Sequence, residues 1–129
     1  GYRSLEELAH DWQCDRSTFS EKREILRAVA EVIGRMHGVR FQHNCLYPKH
    51  ILIKRETEAE LDVRLIDLEK ARRRVNRKAA IFRDLDTLNR RAAGLSRTDR
   101  LRFLLAYCAT ERINDTVREL WRRLAEKRC

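Results

Sequence analysis

The run His43-Asn44-Cys45-Leu46-Tyr47-Pro48-Lys49-His50-Ile51-Leu52-Ile53, answered further along by Leu65-Ile66-Asp67-Leu68-Glu69, organises the whole chain. A polar loop carrying the only proline empties into an apolar stretch, a polar connection follows, and a second apolar stretch stops on an acid. Ile51 to Lys54 and Leu61 to Asp67 predict two short strands, and Arg55 to Glu60 between them is polar enough for a hairpin connection. In the second strand Leu61, Val63 and Leu65 alternate with Asp62 and Arg64, so one face is expected to be wet. The loop itself holds two imidazoles, a thiol and an ammonium, and Asp67 lies where the second strand ends.

Working outward, the segment before the loop reads as helical. Ile25, Leu26, Val29, Val32, Ile33 and Met36 recur at helical spacing, Ser17-Thr18-Phe19-Ser20 offers caps, and the helix should end near Gly38. His37 falls in its last turn, where an imidazolium or a carbonyl-bonded imidazole suits the negative end of the helix dipole. Nearer the start, Ser4 with Glu7 three residues on has the form of a helix N-terminus, and Leu5 and Leu8 begin an apolar stripe that predicts a short helix to about Trp12. After the hairpin, Arg72-Arg73-Arg74 opens a basic connection, and Arg83-Asp84-Leu85-Asp86-Thr87-Leu88 predicts a helix start with two early acids. Ser96 and Asp99 form a capping-box pattern ahead of Leu101, Leu104, Leu105 and Cys108, and Asn114 should cap a last helix bearing Val117, Leu120, Trp121 and Leu124. The expected fold class is α+β, mainly α, with one β-hairpin, in a single domain over residues 1–129.

The bulk numbers bound what such a domain does. A chain of 129 residues buries one moderate core, and with 38% charged residues, 43% apolar residues, four Gly and one Pro it reads as ordered and helix-rich. No apolar run approaches the roughly 18 residues of a membrane span, and no signal-like apolar region opens the chain, so the expected compartment is the cytosol. The net charge of +9 is uneven: residues 1–69 carry 11 basic and 13 acidic side chains, whereas residues 70–129 carry 18 and 7. The second half therefore attracts polyanions, whether nucleic acid, anionic headgroups or a phosphorylated substrate. Cys14, Cys45, Cys108 and Cys129 show no paired spacing and are expected to be free thiols.

Taken together, Tyr2 to Trp12, Gly34-Arg35-Met36-His37, the loop His43 to His50, Ile66-Asp67-Leu68 and Arg83-Asp84-Leu85 resemble the lipopolysaccharide kinase family, in particular its InaA-type members. The resemblance implies a protein-kinase-like C-terminal lobe. It also implies ATP and Mg²⁺ as cofactors, phosphoryl transfer to a sugar hydroxyl of the lipopolysaccharide inner core, and a place at the cytosolic face of the inner membrane with peripheral contact. Its partner would be that core sugar or another acidic glycan. Matched to the kinase loop H-R-D-x-x-x-x-N, His43 takes the place of the histidine that orients backbone, Cys45 that of the catalytic aspartate, and His50 that of the metal-binding asparagine. Asp67 takes the place of the aspartate that bridges metal to ATP phosphates. Asp84 resembles the helix-start acid that ties the loop down through backbone N–H groups.

Two of these matches change the chemistry. An ionised carboxylate accepts a substrate hydroxyl's hydrogen bond, whereas a thiol is a weak acceptor, so Cys45 is a poor general base by type. Imidazole is a poorer Mg²⁺ ligand than a carboxamide oxygen, because Mg²⁺ prefers hard oxygen donors. The Gly-rich phosphate loop, the strand lysine and its glutamate partner, which belong to a kinase N-terminal lobe, are not found in this chain. Three rival readings stand beside the kinase one: a pseudokinase that binds without transferring, a zinc module built on His37, His43, Cys45 and His50, and nucleic-acid binding by the basic half. RRM, KH and C2H2 signatures are absent, so no specific nucleic acid is expected.

Overall fold

The computed structural model describes residues 1–14 and 19–128. Among the described residues three short strand pieces and a hairpin are set among five helices, in the order β1 (Arg3–Ser4), α1 (Leu5–Cys14), α2 (Phe19–Gly38), β2 (Phe41–Gln42), β3 (Ile51–Arg55), β4 (Leu61–Leu65), β5 (Arg72–Arg73), α3 (Arg77–Arg91), α4 (Arg97–Tyr107) and α5 (Asp115–Arg128). Single 3-10 turns at Pro48–His50 and Leu68–Lys70 frame the functional loop and the segment after Asp67.

The hairpin lies where the sequence predicts it. Strands β3 and β4 are antiparallel, with Ile51 opposite Leu65 and Ile53 opposite Val63, and the turn closes through Glu56 N–H donating to the Glu60 carbonyl at 3.0 Å. Ile51 and Ile53 point into the core, whereas their β4 partners are half-buried. Strand β4 stops at Leu65, two residues before the predicted end, because Asp67 turns into the left-handed region at φ 60°. The sheet has more pieces than one hairpin: β1 adds a third strand beside β3, and β2 pairs with β5 in a separate ribbon. The basic connection predicted at Arg72-Arg73-Arg74 is in part this ribbon, which exposes both Arg72 and Arg73.

The helices are set by their caps and stripes. Ser4 Oγ accepts from Glu7 N–H at 3.1 Å, and α1 buries Leu5, Ala9 and Trp12 along one face. The predicted caps at Ser17 and Thr18 lie outside the described residues, as does Cys129. Helix α2 ends at Gly38 as expected, but His37 continues the buried stripe of Leu26, Val29, Ala30 and Ile33 and is itself 1% exposed. Its place one helical turn beyond Ile33 points it into the core, which overrides the pull of the helix end on a cation. Helix α3 begins at Arg77, capped by Asn76 Oδ1 accepting from Ala79 N–H at 3.1 Å, so Asp84 stands mid-helix, not at a helix start. Ser96 and Asp99 make the reciprocal capping box of α4 at 3.1 and 3.0 Å, and Asn114 Oδ1 accepts from Val117 N–H at 2.9 Å at the head of α5.

Helix α2 packs on α4, and α3 on α5, around a core that also takes in Leu46 and Ile51 from the loop and β3. The α3–α4 turn is locked by Arg100, whose guanidinium donates to the carbonyls of Asn89, Ala92 and Leu95 and thereby satisfies the end of α3. The same turn approaches α1 so closely at Gly94 that a Cβ there would lie 2.8 Å from the Ala9 carbonyl.

Candidate active site

The loop from His43 to His50 has little regular structure, so side chains do the work that a ladder does elsewhere. Leu46 is fully buried and Pro48 and His50 are nearly so, which anchors the loop on the core. Asp84, 1% exposed, takes the loop's entry: its carboxylate accepts from His43 N–H at 2.8 Å, from Asn44 N–H at 3.0 Å and from His37 Nε2–H at 2.8 Å. Three donors on one carboxylate satisfy a buried charge by hydrogen bonding, with no cation required. Asn44 adopts φ 69°, a conformation that asparagine tolerates better than most residues, and its side chain links Gln42 to the Lys70 carbonyl.

Behind Asp84 the chain of hydrogen bonds continues into α4. Because His37 gives its Nε2 proton to the carboxylate, its Nδ1 is free to accept from the Tyr107 hydroxyl, 2.7 Å away. Burial pushes the Tyr107 hydroxyl well above its ordinary value and the neighbouring Cys108 thiol upward too, which keeps the phenol protonated and donating. Residues from α4, α2 and α3 thus converge on one loop. Tyr107 had no place in the sequence-based reading of this support. Its partner lies 70 residues away, and no local pattern announces the pairing.

His43 is wholly buried and uses both ring nitrogens. Nδ1 accepts from Cys45 N–H at 3.1 Å and Nε2–H donates to the Ile66 carbonyl at 2.9 Å. Ile66 N–H in turn donates to the His50 carbonyl at 2.9 Å, so the residue just before Asp67 is pinned on both sides. His50 donates Nδ1–H to the Cys45 carbonyl at 2.8 Å and stacks against Tyr47, with ring centroids 5.5 Å apart. Its other nitrogen, Nε2, lies 3.2 Å from Asp67 Oδ2, and the Asp67 side chain is 45% exposed.

Cys45 Sγ, a His50 ring nitrogen and an Asp67 carboxylate oxygen all lie within 4.8 Å of one another. The structure therefore brings together Cys45, His50 and Asp67, and places His43 and Asp84 behind them as supports. It separates the ligands of the zinc module suggested by sequence. His37 is committed to Asp84 and Tyr107, and His43 to Cys45 N–H and Ile66, so neither imidazole has a lone pair to offer.

Residues 1–107 match the model of the lipopolysaccharide kinase (Kdo/WaaP) family. The chain belongs to that family. The chain is 36% identical over 93 residues to Protein InaA of Escherichia coli K12, covering 69% of this chain and 42% of that protein. It is 33% identical over 109 residues to the lipopolysaccharide core heptose(I) kinase WaaP of Pseudomonas aeruginosa, covering 80% of this chain and 41% of that protein. A solved structure described as WaaP in complex with acyl carrier protein superposes with a TM-score of 0.76 at 31% identity, over 98% of this chain and 53% of that one. The chain thus spans less than half the length of the curated relatives it matches and about half of the solved kinase. The α+β, mainly helical architecture is that of this kinase family.

Proposed function

We propose that residues 1–129 form the acceptor-and-metal half of a kinase that transfers phosphoryl groups from ATP to a sugar hydroxyl of the lipopolysaccharide inner core. The observation that carries this reading is the pairing of two differently built parts: a loop clamped by Asp84, and beside it Asp67, half-exposed and held by its own backbone in a left-handed turn. Positioning and electrostatics supply most of the catalysis in phosphoryl transfer, and this arrangement provides both.

Asp67 fits Mg²⁺, which binds through one or two carboxylates and keeps several waters. His50 Nε2 faces the same space and would steady the carboxylate more than it ligates. Asp67 would hold this ion, which when bound would supply charge neutralisation for the phosphoryl group in transfer. Cys45 lines the place where the acceptor hydroxyl would sit, and the Asp84 clamp fixes its backbone through His43. The exposed Lys70, Arg72, Arg73, Arg74, Arg77 and Lys78 lie in the segment just after Asp67 and suit an acidic glycan, or contact with an anionic inner-membrane surface from the cytosolic side. Among the described residues no helix is long and apolar enough to cross a membrane. The nucleotide's remaining contacts would come from a kinase N-terminal lobe.

A second reading rests on Cys45 alone. With a weak acceptor in the base position, the domain would bind core sugar without transferring phosphate to it. One assay of the full-length protein separates the two, using γ-labelled ATP and lipopolysaccharide core oligosaccharide. The kinase reading expects Asp67→Asn to abolish transfer and Cys45→Asp to raise it. Transfer seen only with Cys45→Asp supports the binding protein, and transfer indifferent to both substitutions sinks the enzymatic reading.

A further inference from the structure

We propose that Cys45, His50 and Asp67 form a zinc site with three protein ligands and an open fourth position. The inference rests on the same Asp67–His50 pair as the kinase reading but assigns that pair a different ion. Sulfur, nitrogen and oxygen donors all lie within 4.8 Å of one another. Such a mixed set suits a borderline-soft ion with tetrahedral habits, whereas Mg²⁺ wants oxygen around a near-ideal octahedron. With ligand bonds of about 2.0–2.3 Å, the edges of a zinc tetrahedron are roughly 3.3–3.7 Å long. The 3.2 Å between His50 Nε2 and Asp67 Oδ2 is close to such an edge. Ligation would require the Cys45 and half-exposed Asp67 side chains to rotate and close the remaining distance from within 4.8 Å.

The surroundings are arranged as metal-bound imidazoles usually are. His50 donates Nδ1–H to the Cys45 carbonyl at 2.8 Å, which leaves Nε2 as the nitrogen that faces Asp67 and would ligate the ion. A ring nitrogen and a carboxylate oxygen at that separation share one positive charge, either the proton of a His50–Asp67 ion pair or a metal ion that displaces it. The loop holds each ligand from behind: His43 Nδ1 takes the Cys45 N–H, and Ile66 is bonded on both sides just before Asp67. The His50 side chain is 11% exposed and that of Asp67 45%, so solvent reaches the site at Asp67, where a water or a phosphate oxygen could take the fourth position. Coordination would release the thiol proton to solvent. Zinc held here lies where Mg²⁺ would have to meet the nucleotide, so bound zinc would inhibit the transfer proposed above and its removal would restore it.

The test titrates chelator-stripped full-length protein with Zn²⁺ by calorimetry and with Co²⁺ by absorption. The expected result is one ion per chain, a thiolate-to-cobalt charge-transfer band, and retention of zinc in millimolar Mg²⁺. Cys45→Ser and Asp67→Asn should each weaken zinc by more than the roughly 10–100-fold that losing an outer-shell partner costs. His10→Ala, at an exposed site on α1, should change nothing. Circular dichroism checks that each variant is folded, and Asp67→Asn, lying at the surface, keeps the test decisive should Cys45→Ser unfold. The proposal is overturned by a cobalt complex without the thiolate band, by no bound ion, or by zinc held equally in both variants. Mg²⁺–ATP binding, measured in parallel on the zinc-free protein, speaks to the kinase reading separately. Its loss of dependence on Asp67 would sink that reading and leave the zinc site standing.

Discussion

Two carboxylates in this domain each face a histidine, and they are built for opposite purposes. Asp84 and His37 meet at 2.8 Å with both side chains 1% exposed, and every polar atom of the pair has a partner within the protein. Asp67 and His50 meet at 3.2 Å with side chains 45% and 11% exposed, and the carboxylate has capacity to spare. The first pair is a clamp that decides where the loop runs. The second keeps acceptor capacity that the protein does not use, and it is the pair that the proposed function assigns to a ligand. Depth separates the two carboxylates more than the two histidines, since His50 is nearly as buried as the clamp, and depth is not the whole difference. What also separates them is whether the protein itself uses up the donors and acceptors.

The largest effect should come from breaking the clamp. Asp84→Ala leaves the N–H groups of His43, Asn44 and His37 without an acceptor inside the protein, and losing one partner of a buried charged network costs about 3–5 kcal/mol. That is a large share of the stability of a domain this size. Urea unfolding followed by circular dichroism would measure it, and a loss under about 1 kcal/mol would show that the loop does not depend on Asp84. Asp84→Asn should recover little, because its amide would turn a donor toward one of the three N–H groups.

Tyr107→Phe tests the far end of the same chain. It strips His37 Nδ1 of its donor while keeping the ring in place, which should cost about 1–3 kcal/mol. The pH dependence carries a further signature. Burial raises the Tyr107 hydroxyl in the folded state, so the unfolded chain loses that proton first as the solution becomes alkaline. Stability should therefore fall as pH rises through the ordinary tyrosine value of about 10, with Cys108 beginning the same trend somewhat lower. Unfolding midpoints between pH 8 and 11 should decline less steeply in Tyr107→Phe than in the parent chain.

The contrast between the two pairs also explains what could be read from the sequence. Caps are local, and Ser4, Ser96 and Asn114 each bond the backbone N–H three residues on, as their spacing requires. The hairpin was legible for the same reason. The start of α3 was not, because its cap Asn76 is followed by Arg77 and Lys78, while the acids expected of a first turn stand at Asp84 and Asp86. Strands β1, β2 and β5 are two residues each and too short to show a period. Of the site, Asp67 and His50 were named, together with Cys45, by the resemblance of the loop to the kinase motif and not by spacing alone. The joining of Cys45 to them depends on how Ile66 is pinned against the loop, and the Tyr107–His37–Asp84 relay joins three helices across long stretches of chain. Both are tertiary facts without a local trace.

The smallest expected effect on stability is the one that makes the comparison sharp. Asp67→Asn removes the charge that faces His50, but a half-exposed ion pair contributes about 0–1 kcal/mol at most. The backbone there sits at φ 60° and ψ 53°, a left-handed conformation that asparagine accepts at least as well as aspartate, whereas alanine would add strain of its own. Unfolding free energy should consequently stay within about 0.5 kcal/mol of the parent chain, as for ordinary surface substitutions. Metal and nucleotide binding at the loop should nonetheless be lost. A stability change as large as that of Asp84→Ala would mean that Asp67 is part of the clamp after all. An unchanged fold with binding gone would locate the function in the carboxylate that the protein leaves partly unused.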